Sequence, residues 1–145
     1  NLGEMLAISG GSLLTQLAIP VWTLIVIFII IVMFGNLLVG SASAKYAFFA
    51  PVFVPMFMYV GISPELTQVA YRVGDSITNV ITPLNPYMVI IVALIQRFVA
   101  NAGIGTVVAL MLPYSVAFAL VWITMLVGWI AFGLPLGPGG ALHYG

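Results

Sequence analysis

The chain has 145 residues, of which 63% are apolar and 4% charged, and its three basic and three acidic side chains cancel to a formal charge of zero. An average soluble domain carries roughly 25% charged residues, so this composition belongs to an integral membrane protein, and with no basic stripe to neutralise phosphates nucleic acid is excluded as a partner. The absence of cysteine excludes disulfides, thiol catalysis and thiolate-bound metals together.

Positions 5–44 and 98–145 contain no Asp, Glu, Lys or Arg, and each stretch exceeds the ~20 apolar residues that cross one bilayer. The expected fold is therefore all-α and multi-pass. Apolar character persists along the whole chain and Asn1 is not an initiator, unlike a cleavable leader. This reads as an interior-to-C-terminal piece of a larger protein.

Positions 1–19 mix Leu and Ile with Gly10, Gly11, Ser12, Thr15 and Gln16 before Pro20, the pattern of a connector or interfacial helix. Positions 20–60 read as a helical hairpin. Its first arm is almost continuously apolar, with Trp22 as a belt residue and Asn36 as its strong polar group; its tip, 40–46, is small and polar; its second arm contains Pro51 and Pro55. If the hairpin is re-entrant, Lys45 lies at depth, which requires protein or a wet cavity around it; the alternative is that Lys45 reaches along its stem to the interface.

Next comes a helix start. Ser63 can cap free amides, Pro64 suits the first helical position and Glu65 faces the positive end of the dipole. Positions 61–98 read as one transmembrane helix broken near 74–86, because Gly74 is followed by Asp75, Ser76, Thr78, Asn79, Thr82, Pro83, Asn85 and Pro86. Positions 99–105 form a loop, 106–132 the last transmembrane helix with a kink at Pro113, and 133–145 a Gly- and Pro-rich tail. If the hairpin is re-entrant, Arg97 places the 99–105 loop in the cytoplasm and the hairpin entrance outside.

Helices that stop in mid-membrane expose carbonyls at one end and amides at the other, and these partial charges hold ions and substrates in transporters built from inverted repeats. Two such breaks, with their arms, make one half of an inverted-repeat secondary transporter. Asp75, with Asn79 one turn on, offers oxygens to Na⁺, or Asp75 carries a proton. Amide ends near Ser43 and Asn85 can face a substrate carboxylate. Ser41, Ser43, Ser76 and Thr78 gather at the breaks as ion or substrate ligands, against a reading as small packing residues. Tyr46 can stack on an aromatic ligand. Arg72 and Asp75, three apart on one helical face, either pair with each other or meet the substrate.

An enzyme would need paired carboxylates, an activated nucleophile or a metal cluster. One mid-membrane Asp, one remote His143 and a Ser43–Lys45 pair that diverges on a helix supply none of these. The chain is not expected to be an enzyme or to hold a resident cofactor. A non-transporting packing subunit of a membrane complex is the alternative from another class.

The strings GSASAKYAFFAPVFVPMF, YRVGDSITNVITPLNPY, AGIGTVVALMLPYS and GLPLGPG, in this order and spacing, resemble the C-terminal third of the aminobenzoyl-glutamate transporter (AbgT) family. The resemblance implies a re-entrant hairpin, a discontinuous helix and a final crossing, in an architecture similar to dicarboxylate/sodium symporters, a carrier class that is itself an alternative reading. It implies transport of p-aminobenzoyl-glutamate, or export of sulfonamide antimetabolites, by homodimers in the bacterial inner membrane, coupled to Na⁺ or H⁺. It further implies Asn36, Asp75 and Asn79 as the ion or Na⁺ site, and Arg72, Ser43 and Pro83 as residues that line or shape the substrate site. The missing N-terminal repeat would complete that site. Where the family usually has Trp after SASAK, this chain has Tyr46.

Overall fold

The computed structural model describes residues 2–144, so positions 1 and 145, the outer ends of the first and last expected segments, lie outside it. Six helices follow in order: α1 (Leu2–Leu17), α2 (Val21–Leu38), α3 (Ala42–Met58), α4 (Pro64–Thr78), α5 (Met88–Gln96) and α6 (Ile104–Ala131). There is no strand among the described residues, only two isolated bridges. The bundle is organised around α4, which packs on α2, α3 and α6, while α1 lies on α3.

In α4 the sequence explains this central place. Leu66, Ala70, Tyr71, Val73, Gly74 and Ile77 are buried, and Glu65, Gln68, Arg72 and Ser76 lie on the opposite, exposed stripe, the three- and four-residue spacing of an amphipathic helix. α2 is apolar all round. It buries Leu24, Ile25, Phe28, Ile29, Val32 and Asn36 against the bundle and leaves Ile27, Ile30, Ile31 and Phe34 outside.

Close approach of these two helices depends on Gly74. A Cβ at that position would lie 2.8 Å from the Ile29 carbonyl oxygen and 2.9 Å from the Val32 Cβ. The sequence suggested unwinding from Gly74, but α4 continues through Asp75 and Ser76 to Thr78, and Gly74 serves packing. The interruption instead occupies positions 79–87, where Pro83 and Pro86 remove amide donors.

The start of α4 is built as its residues suggest. Ser63 accepts the Leu66 amide at 3.1 Å and Pro64 opens the helix. The same Ser63 hydroxyl donates to the Ala141 carbonyl at 2.6 Å, its amide donates to Leu142, and the Tyr144 amide donates to Gly61. The C-terminal tail thereby folds back across the α3–α4 corner and buries Leu142.

α3 runs unbroken through Pro51 and Pro55. Between α2 and α3 only positions 39–41 are non-helical, and Ser41 caps α3 by accepting the Ala44 amide at 3.3 Å. This tip touches the second interruption: a Cβ on Gly40 would lie 2.8 Å from the Leu84 Cβ and 3.0 Å from its carbonyl oxygen.

α2 and α6 are each long and apolar enough to cross a membrane. Along α6 only Val107, Ser115 and Leu126 are buried, whereas Leu110, Leu112, Val116, Phe118, Leu120 and Val121 are exposed. An apolar face of that extent needs lipid or more protein against it.

Candidate functional site

The two interruptions meet at a buried polar cluster. Asn36, in the last turn of α2, Lys45, in the first turn of α3, and Asp75, in the last turn of α4, are 0, 2 and 4% exposed. Lys45 Nζ donates to Asp75 Oδ1 at 2.5 Å and also to Asn36 Oδ1. The Asn36 amide nitrogen donates in turn to the Asp75 main-chain oxygen at 3.0 Å, to Thr78 Oγ1 at 2.8 Å and to Asn79 Oδ1 at 3.3 Å.

Three carbonyls at the end of α4, where helical partners run out, take partners from outside the helix. That of Asp75 takes Asn36, that of Ile77 takes the Ser115 hydroxyl of α6 at 2.7 Å, and that of Thr78 takes the amides of Ile81 and Thr82. On the other side the Thr82 hydroxyl donates to the Asn36 carbonyl at 3.1 Å, tying the interruption back to α2. Among the described residues no buried side-chain nitrogen or oxygen lacks a partner. Such closure matters because an unpaired buried polar group costs about 1–3 kcal/mol.

Asp75 pairs not with Arg72 on its own helix but with Lys45 from the hairpin, since α4 turns its buried face toward α2 and α3 while Arg72 is exposed. Lys45 does not reach to an interface; its ammonium is enclosed by the carboxylate, the Asn36 amide and the Tyr71 ring, whose centroid is 5.9 Å away. The Tyr71 hydroxyl donates to the Ala42 carbonyl at 2.6 Å, so the same tyrosine also anchors the start of α3.

The remaining sequence candidates separate into three places. Asn36, Asp75, Thr78 and Asn79 share the cluster. Arg72 and Ser76 line a cleft of about 430 Å³ on the other side of α4, together with Glu65, Gln68, Trp122 and Pro138. Ser41, Ser43 and Pro83 are exposed at the tip and the interruption, and the Tyr46 ring packs 4.8 Å from Tyr71. Sequence reasoning left Lys45, Tyr71, Thr82 and Ser115 out of the site. A lone lysine in an apolar hairpin signalled that a partner was needed and Thr82 stood out only as part of the polar break, while nothing local distinguished Tyr71 and Ser115.

The cluster offers carboxylate, amide, hydroxyl and main-chain oxygens, a hard donor set suited to a hard cation or an ammonium. The cleft lies in the size range of small-molecule sites and combines the Arg72 guanidinium with the Glu65 carboxylate, an indole and neutral polar groups. A bundle with apolar outer faces, two helices long enough to cross a membrane and a buried polar cluster where the hairpin tip meets the interruption after α4 has the character of a helical membrane protein.

The chain belongs to the AbgT putative transporter family, whose model matches residues 1–144. It is 33% identical over 139 residues to the p-aminobenzoyl-glutamate transport protein of Escherichia coli (strain K12), covering 96% of this chain and 27% of that protein. Among solved structures it resembles the Alcanivorax borkumensis YdaH transporter, with a TM-score of 0.89 at 51% identity over 94% of this chain and 29% of that one. Neisseria gonorrhoeae MtrF, described as illuminating a class of antimetabolite efflux pumps, gives a TM-score of 0.86 at 41% identity over 99% of this chain and 28% of its own. The chain thus spans between a quarter and a third of these relatives. They are transporters, so the intramembrane enzyme is set aside.

Proposed function

We propose that this chain is the C-terminal part of an ion-coupled secondary transporter that moves p-aminobenzoyl-glutamate-like organic carboxylates, with sulfonamide antimetabolites as further cargo. The observation that carries this reading is the junction of the two interruptions through Asn36, Lys45 and Asp75. It gives the bundle a charged centre where an ion could bind. In this reading the hairpin is re-entrant, a second repeat from the rest of the protein closes the site, and the transporter works as a homodimer in the bacterial inner membrane.

The division of labour follows from the chemistry of the two places. Asp75, with the oxygens of Asn36 and Asn79, takes the coupling Na⁺ or H⁺. Across α4, the Arg72 guanidinium is shaped to hold a carboxylate by two parallel hydrogen bonds, and Trp122 on the same cleft presents an aromatic face. Gln68 and Ser76 add neutral hydrogen-bonding groups. Because Arg72 and Asp75 are three residues apart on one rigid helix, occupation of either place can be felt at the other through movement of α4 against α2.

The test is transport of radiolabelled p-aminobenzoyl-glutamate by the full-length protein in vesicles, with Na⁺ and pH gradients imposed separately. Arg72→Ala is expected to weaken apparent substrate affinity about ten- to a hundredfold, the loss of a charge-assisted hydrogen bond, while leaving folded protein in the membrane. Uptake no greater than in protein-free vesicles under either gradient would instead support a packing subunit.

A further inference from the structure

Ion coupling at Asp75 leaves Lys45 without a task, although its ammonium lies on the oxygens a coupling cation would use. We infer that Lys45 is a tethered cation that competes with Na⁺ for Asn36 Oδ1 and Asp75 Oδ1, so that the site holds one or the other. This rests on the proposed coupling of transport at Asp75.

Charge balance makes the two occupants exclusive. The cluster contains one carboxylate, and both Asp75 and Lys45 are buried. Two cations beside it would repel each other in a poorly screened interior, and none would leave Asp75 uncompensated. Local helix stability does not explain the placement either. Lys45 stands in the first turn of α3, where the helix dipole opposes a cation, and Asp75 in the last turn of α4, where it opposes an anion. Each charge is at the unfavourable end of its helix, and their mutual pairing accounts for both.

The ammonium also has a way out. The lysine stem runs past Gly35, where a Cβ would sit 3.7 Å from the Lys45 Cδ. Gly40, Ser41, Ser43 and Ala44 beside it are exposed, so rotation of the flexible stem carries the charged head to the edge of the tip. When Na⁺ leaves, the ammonium returns and keeps the carboxylate paired. The ion-free carrier then never exposes an isolated anion to the membrane interior.

Na⁺ binding to the full-length protein, measured with radioactive Na⁺ in vesicles, tests this. With the ammonium occupying the site about nine-tenths of the time, Lys45→Met tightens apparent Na⁺ affinity about tenfold. A purely structural lysine predicts weaker binding on its removal, and unchanged or weaker Na⁺ binding by folded Lys45→Met overturns the proposal. Because that variant leaves Asp75 unpaired, a second measurement uses the unaltered protein. Acylation of Lys45 by a water-soluble amine reagent, read from the mass of the peptide carrying this chain's single lysine, is expected to rise in Na⁺ relative to choline. Equal labelling overturns the exchange. Substrate transport by the unaltered protein reports separately: transport without any Na⁺ binding overturns the competition and keeps the carrier reading, whereas Na⁺-dependent labelling without transport supports the exchange and overturns the substrate.

Discussion

At Asp75 a carboxylate in the last turn of α4 is held by a lysine 30 positions earlier in the chain, and removing either partner leaves the other charge buried alone. Asp75→Asn is expected to cost about 3–5 kcal/mol of stability and to abolish coupled transport, measured by thermal unfolding in detergent and by vesicle uptake. The double variant Lys45→Met with Asp75→Leu replaces the pair by apolar groups and should recover most of that stability without recovering coupling. A double variant as unstable as Asp75→Asn would contradict the account of the pair. Asn36 was legible in the sequence as a lone polar side chain in an apolar arm, and Asp75 and Asn79 as members of a polar run between apolar stretches. The partner of Asp75 was not, since spacing favours Arg72 and only the tertiary fold brings in Lys45. Tyr46 was read as a surface for ligand stacking, and its ring lies 4.8 Å from that of Tyr71, which holds the start of α3.

The helices themselves are written plainly in the apolar runs, in the Ser63–Pro64–Glu65 start of α4 and in the small residues of the hairpin tip. What misleads is glycine. A glycine among polar residues marks a helix end as readily as a packing contact, and Gly74 is the second kind, because α2 lies where its side chain would be. The true interruption follows from Pro83 and Pro86, five to eight positions later than Thr78 (83 minus 78 and 86 minus 78). Gly74→Val should push α4 from α2 and destabilise the protein by about 1–3 kcal/mol, as overpacking does, with thermal unfolding as the readout. The same stability in the variant would mean that α2 and α4 are not in close contact there. Such a shift would also separate Asn36 from the end of α4, so loss of ion-dependent transport should accompany it.

Across the whole molecule, α6 and the outer side of α2 present apolar surface, and the polar groups concentrate on the tip, the second interruption and the exposed stripe of α4. Composition made the membrane assignment legible from the sequence alone. Which of these faces meets lipid and which meets the rest of the transporter depends on residues outside this stretch, which spans 27% of the E. coli relative. The junction of hairpin tip and broken helix remains the physical centre of the account, and cysteine cross-linking in native membranes reaches it most directly. This stretch has no cysteine of its own, so the pair Gly40→Cys with Leu84→Cys can be introduced into full-length protein with any other cysteines replaced. A Cβ on Gly40 would lie 2.8 Å from the Leu84 Cβ, so a shift of about 1 Å brings the pair to the spacing of a disulfide, and oxidation to an intramolecular disulfide is expected; if the two thiols stay free in folded protein under prolonged oxidation, the interruptions do not meet and the proposed ion site does not form.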